Sequence, residues 1–398
     1  MIKNLMSEQS HSHLRIFCIA GEASGDVLGA SIIGALKRQY GGTLELSGIG
    51  GPLLEKQGLQ SIFPMEDLSV MGLVEVLSNL RCILKRIHQT VDKIIEYNPD
   101  IILTIDSPDF CFRVIERLKK KGLSEAKAVH CVAPSVWAWR PGRAKKVAKF
   151  LDMLLCLLPF EPPYFTKENL PAEFIGHPAI ENKSDNQQRQ RERFRTERHI
   201  PPDVKTIGLL CGSRRSEIER HTVLLARCLK KLKEEKGEFH VIVPSFPIFQ
   251  PTIKKILLEH LGHTFFDHIH FNLGQENKWD SFTGMDMALA VSGTVGLELA
   301  IAGVPHAIVY KMNPVTWSLI KGRIQVRYAH LVNIMLDKPV IPEFIQGNAT
   351  PEAIHEALID LWDSPERQKL DLEEASRQIV NHNRLPSECA AKALLSVA

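Results

Sequence analysis

The first half of the chain alternates short apolar runs with longer segments of helical pattern. The apolar runs predict strands over 14–20, 44–48, 101–105, 127–132 and 151–157. These runs are apolar at nearly every position, which indicates strands buried on both faces of a parallel sheet rather than strands with one wet face. Since a helical segment separates most consecutive strands, the pattern predicts a doubly wound α/β sheet.

The second half shows the same architecture without a repeated sequence. Strands are predicted over 206–211, 239–243, 268–273, 287–291 and 306–310, and the segment from Pro351 is predicted to be helical. Between the halves, residues 182–198 are polar and highly charged, which indicates a domain boundary or a solvated helix beside one. We therefore expect an α/β protein of two doubly wound, Rossmann-like domains facing across a cleft, with ligands beyond the carboxyl ends of the strands.

Composition and charge exclude several classes of protein. With 49 Lys and Arg against 46 Asp and Glu among 398 residues, the net charge is +3, which is too small to indicate nucleic-acid binding. The eight cysteines include no CxxC pair, so we expect buried thiols in a reducing compartment and no zinc site. The polar segment Met1–His13 lacks the apolar stretch of a signal peptide, and no apolar run approaches the ~20 residues of a spanning helix. A cytoplasmic or membrane-peripheral protein is expected.

The loop after the first predicted strand, Gly21–Asp26, is rich in acceptor side chains. Glu22, Ser24 and Asp26 offer oxygen atoms, and Gly25 lets the backbone approach a ligand. These residues are predicted to line the cleft. The alternative is an ordinary strand-to-helix turn in which Ser24 or Asp26 caps the helix.

A carboxylate, Asp106, directly follows the apolar strand predicted over 101–105. A carboxylate at the end of a buried strand lies at the mouth of a cleft, where it can act as a general base. The alternative is a helix start, with Asp106 or Ser107 as the cap and Pro108 in the first turn.

In the second half, a Gly-Ser turn opens a helix at Gly212, Ser213 and Arg214. Free backbone N–H groups and the positive end of a helix dipole, together with an arginine, form an anion site suited to a diphosphate. A surface helix start with solvated arginines is the alternative.

A second small-residue turn, at Gly293 and Thr294, also opens a helix after a strand. Glu298 lies one turn farther, where a carboxylate can bind both hydroxyls of a ribose. The alternative is a packed helix in which Gly296 allows close approach to the sheet. Together the two turns predict a nucleotide diphosphate held by the second domain.

The stretch 68–84 is more apolar than one core-facing stripe requires, and Lys85 and Arg86 follow it. Such a stretch suits an interface with an anionic membrane or a pocket for acyl chains, with a buried helix as the alternative. The predicted membrane or acyl contacts are Val70, Met71, Leu73 and Leu77. The segment 137–140, Trp-Ala-Trp-Arg, is either an interface or sugar-binding element or a pair of core tryptophans.

Eight ordered motifs resemble the lipid-A-disaccharide synthase family of glycosyltransferases. They lie at 20–26, 70–77, 105–110, 133–140, 158–161, 174–177, 212–214 and 292–294. The chain departs from the family pattern at Cys211, where proline is expected, and at Arg215, where a small residue is expected.

The resemblance implies the two-Rossmann architecture called GT-B. It implies an acceptor- and membrane-facing domain over 1–180 and a UDP-sugar-binding domain over 181–364. The C-terminal helices, 365–398, are then expected to pack back on the first domain. It also implies a peripheral location on the cytoplasmic face of the inner membrane.

The implied reaction is an inverting, metal-independent transfer without a cofactor. It moves 2,3-diacylglucosamine from UDP-2,3-diacylglucosamine to 2,3-diacylglucosamine 1-phosphate, giving the β-1′,6-linked disaccharide 1-phosphate and UDP. Asp106 matches the family's proposed base. Ser213 and Arg214 are expected to hold the diphosphate, Glu298 the ribose, and Asn333 lies in a segment that resembles the nucleotide pocket. The sequence leaves the oligomeric state open.

Three alternatives share parts of this pattern. One is a glycosyltransferase that adds N-acetylglucosamine to the peptidoglycan precursor. Another is a UDP-sugar 2-epimerase, against which the apolar stretch 68–84 argues. The third is a non-enzymatic, membrane-peripheral nucleotide-binding module, against which the strand-end Asp106 argues.

Overall fold

The chain forms two α/β units, each built on a sheet of six parallel strands. The computed structural model describes residues 13–68, 73–122, 125–183, 186–274, 277–381 and 384–398. Unit 1 comprises the chain up to Pro178 together with Ile379–Ala398, and unit 2 comprises Ala179–Gln378. The doubly wound α/β class predicted from the sequence is confirmed.

The strands of unit 1 run in the order β2-β1-β3-β4-β5-β6, and those of unit 2 in the order β12-β11-β10-β7-β8-β9. Their bounds are β1 His13–Ala20, β2 Thr43–Ile49, β3 Ile101–Ile105, β4 Lys127–Cys131, β5 Met153–Cys156, β6 Ala172–Phe174, β7 Thr206–Leu210, β8 His240–Ser245, β9 Ile269–Leu273, β10 Met287–Val291, β11 His306–Tyr310 and β12 Glu343–Ile345. The central strands β3, β7 and β10 are buried at every position, as their apolar sequences require. The short edge strands β6 and β12 carry no apolar run and are only partly buried, so the sequence pattern does not predict them.

Helices cover the sheets. Their bounds are α1 Ala23–Gln39, α2 Pro52–Lys56, α3 Leu73–Tyr97, α4 Pro108–Lys121, α5 Val136–Trp139, α6 Gly142–Val147, α7 Pro162–Thr166, α8 Gln187–Glu197, α9 Arg215–Lys236, α10 Gln250–Leu261, α11 Lys278–Gly284, α12 Thr294–Ile301, α13 Pro314–Ile320, α14 Leu331–Leu336, α15 Pro351–Asp363, α16 Glu366–Gln378 and α17 Pro386–Leu395. The charged stretch between the halves becomes α8, whose Phe194 is buried. No helix within the described ranges is long and apolar enough to cross a membrane.

The chain returns to unit 1 later than the sequence predicts. The expected boundary lies at residue 364, whereas the structure places it after Gln378. The reason is that α16 packs on α12 and α14 of unit 2, with Leu372 and Ala375 buried. The next helix, α17, packs against α1 of unit 1.

The segment Phe174–His177 receives the returning chain. The His177 N–H donates to the Ile379 carbonyl at 3.1 Å, and the Asn381 amide donates to the Phe174 carbonyl. Gly176 has φ +91°, and a Cβ there would lie 3.1 Å from the Ile379 carbonyl oxygen. Glycine is therefore required both by the backbone conformation and by the close approach.

The eight cysteines are free thiols, and all are buried except Cys82, which is exposed. Burial raises the pKa of Cys18 to about 12, with the charge of Asp26 adding to the effect. These thiols therefore act as small apolar side chains, as predicted, apart from Cys82.

A buried histidine pair joins β11 to α14. The two Nε2 atoms of His306 and His330 lie 3.0 Å apart. His306 Nδ1 lies 2.8 Å from the Val304 carbonyl, and His330 Nδ1 accepts the Val332 N–H at 3.1 Å. This network assigns one neutral tautomer to each ring, with His330 Nε2–H donating to His306 Nε2. Neither ring can take a second proton without breaking a hydrogen bond.

The pair predicts acid sensitivity of unit 2. Burial lowers the pKa of His306 to about 4 and that of His330 well below its ordinary value. Because the unfolded imidazoles bind protons below about pH 6.5 and the folded ones do not, we expect the free energy of unfolding to fall as the pH drops from about 6.5 towards 4. The contribution of His306 is roughly 3 kcal/mol. Urea unfolding at a series of pH values from about 6.5 to 4 measures the change in the free energy of unfolding.

His306→Gln removes one of several histidines of unit 2 in which burial lowers the pKa, as it also does in His221, His240 and His270. The stability of the variant should therefore depend less steeply on pH than that of the wild type. His263→Gln, at an exposed position of the same unit, is the control and should keep the wild-type slope. Equal slopes for wild type and His306→Gln would contradict the assignment.

Candidate active site

Apart from Asn333, the predicted catalytic, acceptor and nucleotide residues follow the strands at which the strand order of each sheet reverses. In unit 1, β1 and β3 are neighbours, and the chain continues from β1 to β2 on one side and from β3 to β4 on the other. In unit 2, β7 and β10 are neighbours in the same way. Crevices outside the carboxyl ends of such strand pairs are where open α/β sheets bind ligands. The loops after these four strands are the four singled out from the sequence.

Asp106 leaves β3 in an unusual conformation. Its φ is +55° and that of Ser107 is +43°, so both residues lie in the left-handed region. The Asp106 N–H donates to the Cys131 carbonyl at 2.6 Å. Non-glycine residues in this region cost free energy and cluster at functional sites.

The carboxylate of Asp106 is held by two donors. Oδ1 accepts the Ser107 N–H at 3.0 Å, and Oδ2 accepts the Ser24 hydroxyl at 3.2 Å. Helix α4 begins at Pro108, as the alternative of a helix start expects, but Ser107 at its N-cap makes no side-chain capping bond. The alternative in which Asp106 or Ser107 caps this helix is therefore not supported.

The loop after β1 lies close against the loop after β3. A Cβ at Gly21 would lie 2.4 Å from Ser107 Oγ, and one at Gly25 would lie 3.3 Å from the Ile105 carbonyl oxygen. The small residues of this loop thus allow Ser24 to reach Asp106. Glu22 occupies the N-cap position of α1 and is partly exposed.

Asp26 has a different role from the one predicted. It is only 3% exposed, and its oxygens accept the N–H groups of Gly51, Leu53 and Leu54 at 2.9–3.0 Å. Asp26 therefore caps α2 rather than lining a surface. The alternative in which Ser24 or Asp26 caps α1 is also not supported, since α1 has no side-chain capping bond at its start.

The turns after β4 and β5 are tied together by Glu161. This carboxylate is 2% exposed and accepts the Trp137 indole N–H at 3.2 Å and the Leu158 N–H at 3.1 Å. Burial raises its pKa to about 7, although the hydrogen bonds act in the opposite direction. Trp137 also meets Phe160 edge to face, with centroids 5.2 Å apart. Trp137 is thus partly buried and held in place by these two contacts. Trp139 is 39% exposed, and the Arg140 guanidinium lies 3.7 Å from its ring centre.

The predicted diphosphate turn of unit 2 already contains an anion. Glu217 Oε2 accepts the N–H groups of Ser213 at 3.1 Å and Arg214 at 3.3 Å, and Glu217 Oε1 lies 3.4 Å from Arg214 Nη1. Gly212 has φ +110°, and a Cβ there would lie 2.8 Å from that of Glu217. An anionic ligand at these N–H groups must therefore replace Glu217 or share them with it.

The second turn of unit 2 is more open. Gly293 and Thr294 are exposed at the start of α12. Glu298, one turn farther, is paired with Lys278 at 2.7 Å. Neither Glu217 nor Lys278 was singled out from the sequence. Glu217 stands three residues after the cap Arg214, which is the spacing of a capping box, so its contact could have been predicted from the sequence. Lys278 lies too far from Glu298 along the chain for the sequence to indicate their contact.

Asn333 is fully buried and its amide is used within the protein. Nδ2 donates to the Ile341 carbonyl and to Glu343 Oε1, and Oδ1 accepts the Ile341 N–H, each at 2.8 Å. Glu343 also accepts the His330 N–H at the start of α14. Asn333 thus holds the segment that leads into β12, and its position does not support the predicted nucleotide contact.

Gly296 lies beneath His330. A Cβ at Gly296 would lie 2.4 Å from His330 Nε2, so glycine here makes room for the buried histidine pair. The close approach predicted for Gly296 exists, but towards α14 rather than towards the sheet.

The predicted membrane contacts are not placed by the structure. Val70 and Met71 lie outside the described residues, and Leu73 and Leu77 belong to α3, for which the side-chain positions are described only from residue 81. In the part of α3 that is described, Arg81, Leu84 and Lys85 are exposed. Within the described ranges, no group of three or more His, Cys, Asp or Glu residues could hold a metal ion.

Comparison with known proteins identifies the family. A family model described as lipid-A-disaccharide synthetase matches residues 16–397. The chain belongs to this family. A lipid-A-disaccharide synthase of Rhodospirillum centenum is 44% identical over 387 residues, 96% of this chain and 94% of that protein. One of Gluconobacter oxydans is 37% identical over 385 residues, 96% of this chain and 90% of that protein. The family is one of glycosyltransferases of lipid A biosynthesis.

Solved structures show the same fold at low sequence identity. A Listeria monocytogenes protein assigned as a UDP-N-acetylglucosamine 2-epimerase has a TM-score of 0.63 at 13% identity. The match covers 97% of this chain and 95% of that one. The MnaA protein of Staphylococcus aureus, solved with UDP, has a TM-score of 0.61 at 14% identity over 96% and 95% of the two chains. A glycosyltransferase from Rickettsia africae has a TM-score of 0.59 at 14% identity over 97% and 98%. These likenesses establish the two-Rossmann, GT-B type of fold.

Proposed function

We propose that the protein transfers 2,3-diacylglucosamine from UDP-2,3-diacylglucosamine to the 6-hydroxyl of 2,3-diacylglucosamine 1-phosphate. The products are the β-1′,6-linked disaccharide 1-phosphate and UDP. Family membership over nearly the whole chain supports this reaction. The observation that carries it is the Asp106 carboxylate, which stands at the reversal point of unit 1 and is not used as a helix cap. A pure nucleotide-binding module has no need of such a group.

The proposed step is a single displacement with inversion. The 6-hydroxyl oxygen attacks the anomeric carbon while Asp106 accepts the hydroxyl proton, and the bond from the anomeric carbon to the diphosphate oxygen breaks with its electron pair. A poor nucleophile becomes effective when its proton is accepted as the new bond forms. UDP leaves with the negative charge that develops on its diphosphate.

The leaving charge is proposed to be stabilised by unit 2 without a metal or cofactor. Arg214 and the N–H groups at the start of α9 supply positive charge where negative charge develops on the leaving diphosphate. Gly293 and Thr294 offer the second exposed helix start, and Glu298 the carboxylate for the ribose hydroxyls. Glu22 and Gly25 belong to the loop beside Asp106 and are assigned to the acceptor. The overall proposal is tested by incubating the purified protein with both acylated glucosamines and measuring UDP release.

Asp106→Asn should lower turnover by ~10²–10⁴-fold, the usual contribution of a general base, because the amide cannot accept the proton. The UDP affinity and the melting temperature should stay close to wild type, since the nucleotide is assigned to unit 2 and the substitution is nearly isosteric. Turnover, calorimetric UDP affinity and thermal unfolding are measured on the same preparation. Near-normal turnover would remove Asp106 from the mechanism.

Two substitutions at the start of α9 are expected to act in opposite directions on UDP binding. Arg214→Ala removes a charged donor and should weaken binding by about 1.5–3 kcal/mol. Glu217→Gln removes a negative charge that shares the same N–H groups and should tighten binding about fivefold, from roughly 1 kcal/mol of like-charge repulsion at ~4 Å in water. Isothermal titration with UDP measures both.

Glu219→Gln is the matched control for the second substitution, because Glu219 is exposed on the same helix and is paired only loosely with Arg215, at 3.9 Å. Unchanged affinity in Arg214→Ala would take the arginine out of the site. Weaker binding in Glu217→Gln would show that Glu217 shapes the turn instead of competing for it.

We also infer a peripheral association with the cytoplasmic face of the inner membrane through the stretch 68–84. Replacing Val70, Leu73 and Leu77 with Ser should weaken binding to anionic vesicles, because each apolar side chain withdrawn from water is worth ~1.5–3 kcal/mol. Vesicle co-sedimentation measures the change.

The control for this experiment replaces Ile248 and Leu370 with Ser, since both are exposed apolar residues of unit 2, 69% and 71% exposed. That variant should bind vesicles like the wild type. A triple variant with a much lower melting temperature would mean that the stretch belongs to the core.

A further inference from the structure

The Ser24 hydroxyl is placed to control the orientation of the proposed base. It lies in the first turn of α1 and donates to Asp106 Oδ2 at 3.2 Å. Both residues lie at the surface, since Ser24 is exposed and Asp106 is partly exposed. The hydroxyl is not used to cap its own helix, which has no side-chain capping bond. The bond to Asp106 is therefore the contact that explains a serine at this position.

One hydrogen bond alone cannot fix an aspartate carboxylate. The χ2 torsion of aspartate is broad and roughly two-fold, so the plane of the carboxylate turns easily about its Cβ–Cγ bond. The Ser107 N–H fixes Oδ1 at 3.0 Å. A second donor on the other oxygen fixes the plane, and Ser24 supplies it.

This arrangement leaves capacity for a substrate proton. Each carboxylate oxygen has two lone-pair sites, so Oδ2 can accept the Ser24 hydroxyl and a second hydroxyl at once. General-base catalysis depends first on geometry, because the base must lie within hydrogen-bond reach of the proton that it removes. A carboxylate that turns freely loses that geometry for much of the time.

The neighbouring residues are arranged so that this contact can form. Ala20 of β1 pairs with Ile105 of β3, so the two loops leave the sheet side by side. Gly21 permits the close approach to Ser107, where a Cβ would collide with the hydroxyl. Ser24 also brings the carboxylate near the positive end of α1, which favours a negative charge there.

We propose that Ser24 is a positioning residue that holds the Asp106 carboxylate in its productive orientation. The role rests on the proposed function, in which Asp106 is the base. Ser24 acts through Asp106, so its removal should lower turnover without changing nucleotide binding.

The test compares Ser24→Ala with Ser24→Thr, which keeps the hydroxyl. Ser24→Ala should lower kcat about tenfold, the scale of losing one hydrogen bond to a charged group. The KM for both substrates, the UDP affinity and the melting temperature should remain near wild type, because an exposed first-turn position tolerates alanine. Ser24→Thr should recover most of kcat. Ser31→Ala, the same substitution farther along α1, is the matched control and should leave kcat unchanged.

A double variant separates positioning from a structural effect. If Ser24 acts through Asp106, Ser24→Ala should cause little further loss of kcat in the Asp106→Asn protein. An equal tenfold loss in both backgrounds, or full activity of Ser24→Ala in the wild-type background, would overturn the inference while leaving the proposed reaction intact. Full turnover by Asp106→Asn would overturn the base assignment and this role with it. A wild-type protein that releases no UDP from the two acylated glucosamines would instead overturn the proposed function.

Discussion

The parallel pairing of β1 with β3 is the constraint on which the proposed site of unit 1 depends. Ala20 stands opposite Ile105, and both strands are buried along their last residues. Two loops that leave adjacent strands at the same level must share the space above the sheet, and Gly21 and Gly25 allow this because a Cβ at either would crowd the neighbouring strand end. The Ser24–Asp106 contact is a consequence of that sharing. Unit 2 repeats the constraint with Ala290 opposite Leu210.

The charged groups assigned to nucleotide binding are engaged with other protein groups in this structure. Glu217 accepts the N–H groups of the turn after β7, and Lys278 pairs with Glu298. Substrate binding would then exchange one set of partners for another. The net gain of each new contact is smaller than its gross strength, because an existing hydrogen bond is given up in return. Specificity then follows from how well the ligand replaces both internal partners at once.

Much of the fold could be predicted from the sequence, because central parallel strands must be apolar throughout. The strands over 101–105, 287–291 and 306–310 are found where the apolar runs predict them. The edge strands β6 and β12 escape prediction because each has only three residues and carries no apolar run. The return of the chain after Gln378 rather than 364 was not predictable, because the sequence of an amphipathic helix does not show which unit the helix packs on.

The site could be predicted only in part, for a related reason. A strand-end position identifies Asp106 as accessible, but its left-handed backbone and its bond to Ser24 arise from tertiary contacts. Asp26 and Asn333 stand in equally suggestive segments and prove to be buried, with their oxygens bonded to backbone N–H groups. Sequence position therefore cannot distinguish a residue that meets the ligand from one that supports the loop.

The buried polar residues near the proposed site act chiefly as anchors of loops. Asp26 caps α2, Glu161 joins the turns after β4 and β5, and Asn333 holds the approach to β12. Each accepts at least one backbone N–H group that has no partner within a strand or helix. Loops and helix starts leave such N–H groups in need of acceptors. Removing such an anchor leaves buried donors unsatisfied and costs stability, whereas removing the exposed Ser24 hydroxyl leaves no buried donor unsatisfied. Buried polar residues are therefore expected to matter for stability, and exposed ones for turnover. Asp26 and Ser24 show that both kinds occur in the same loop.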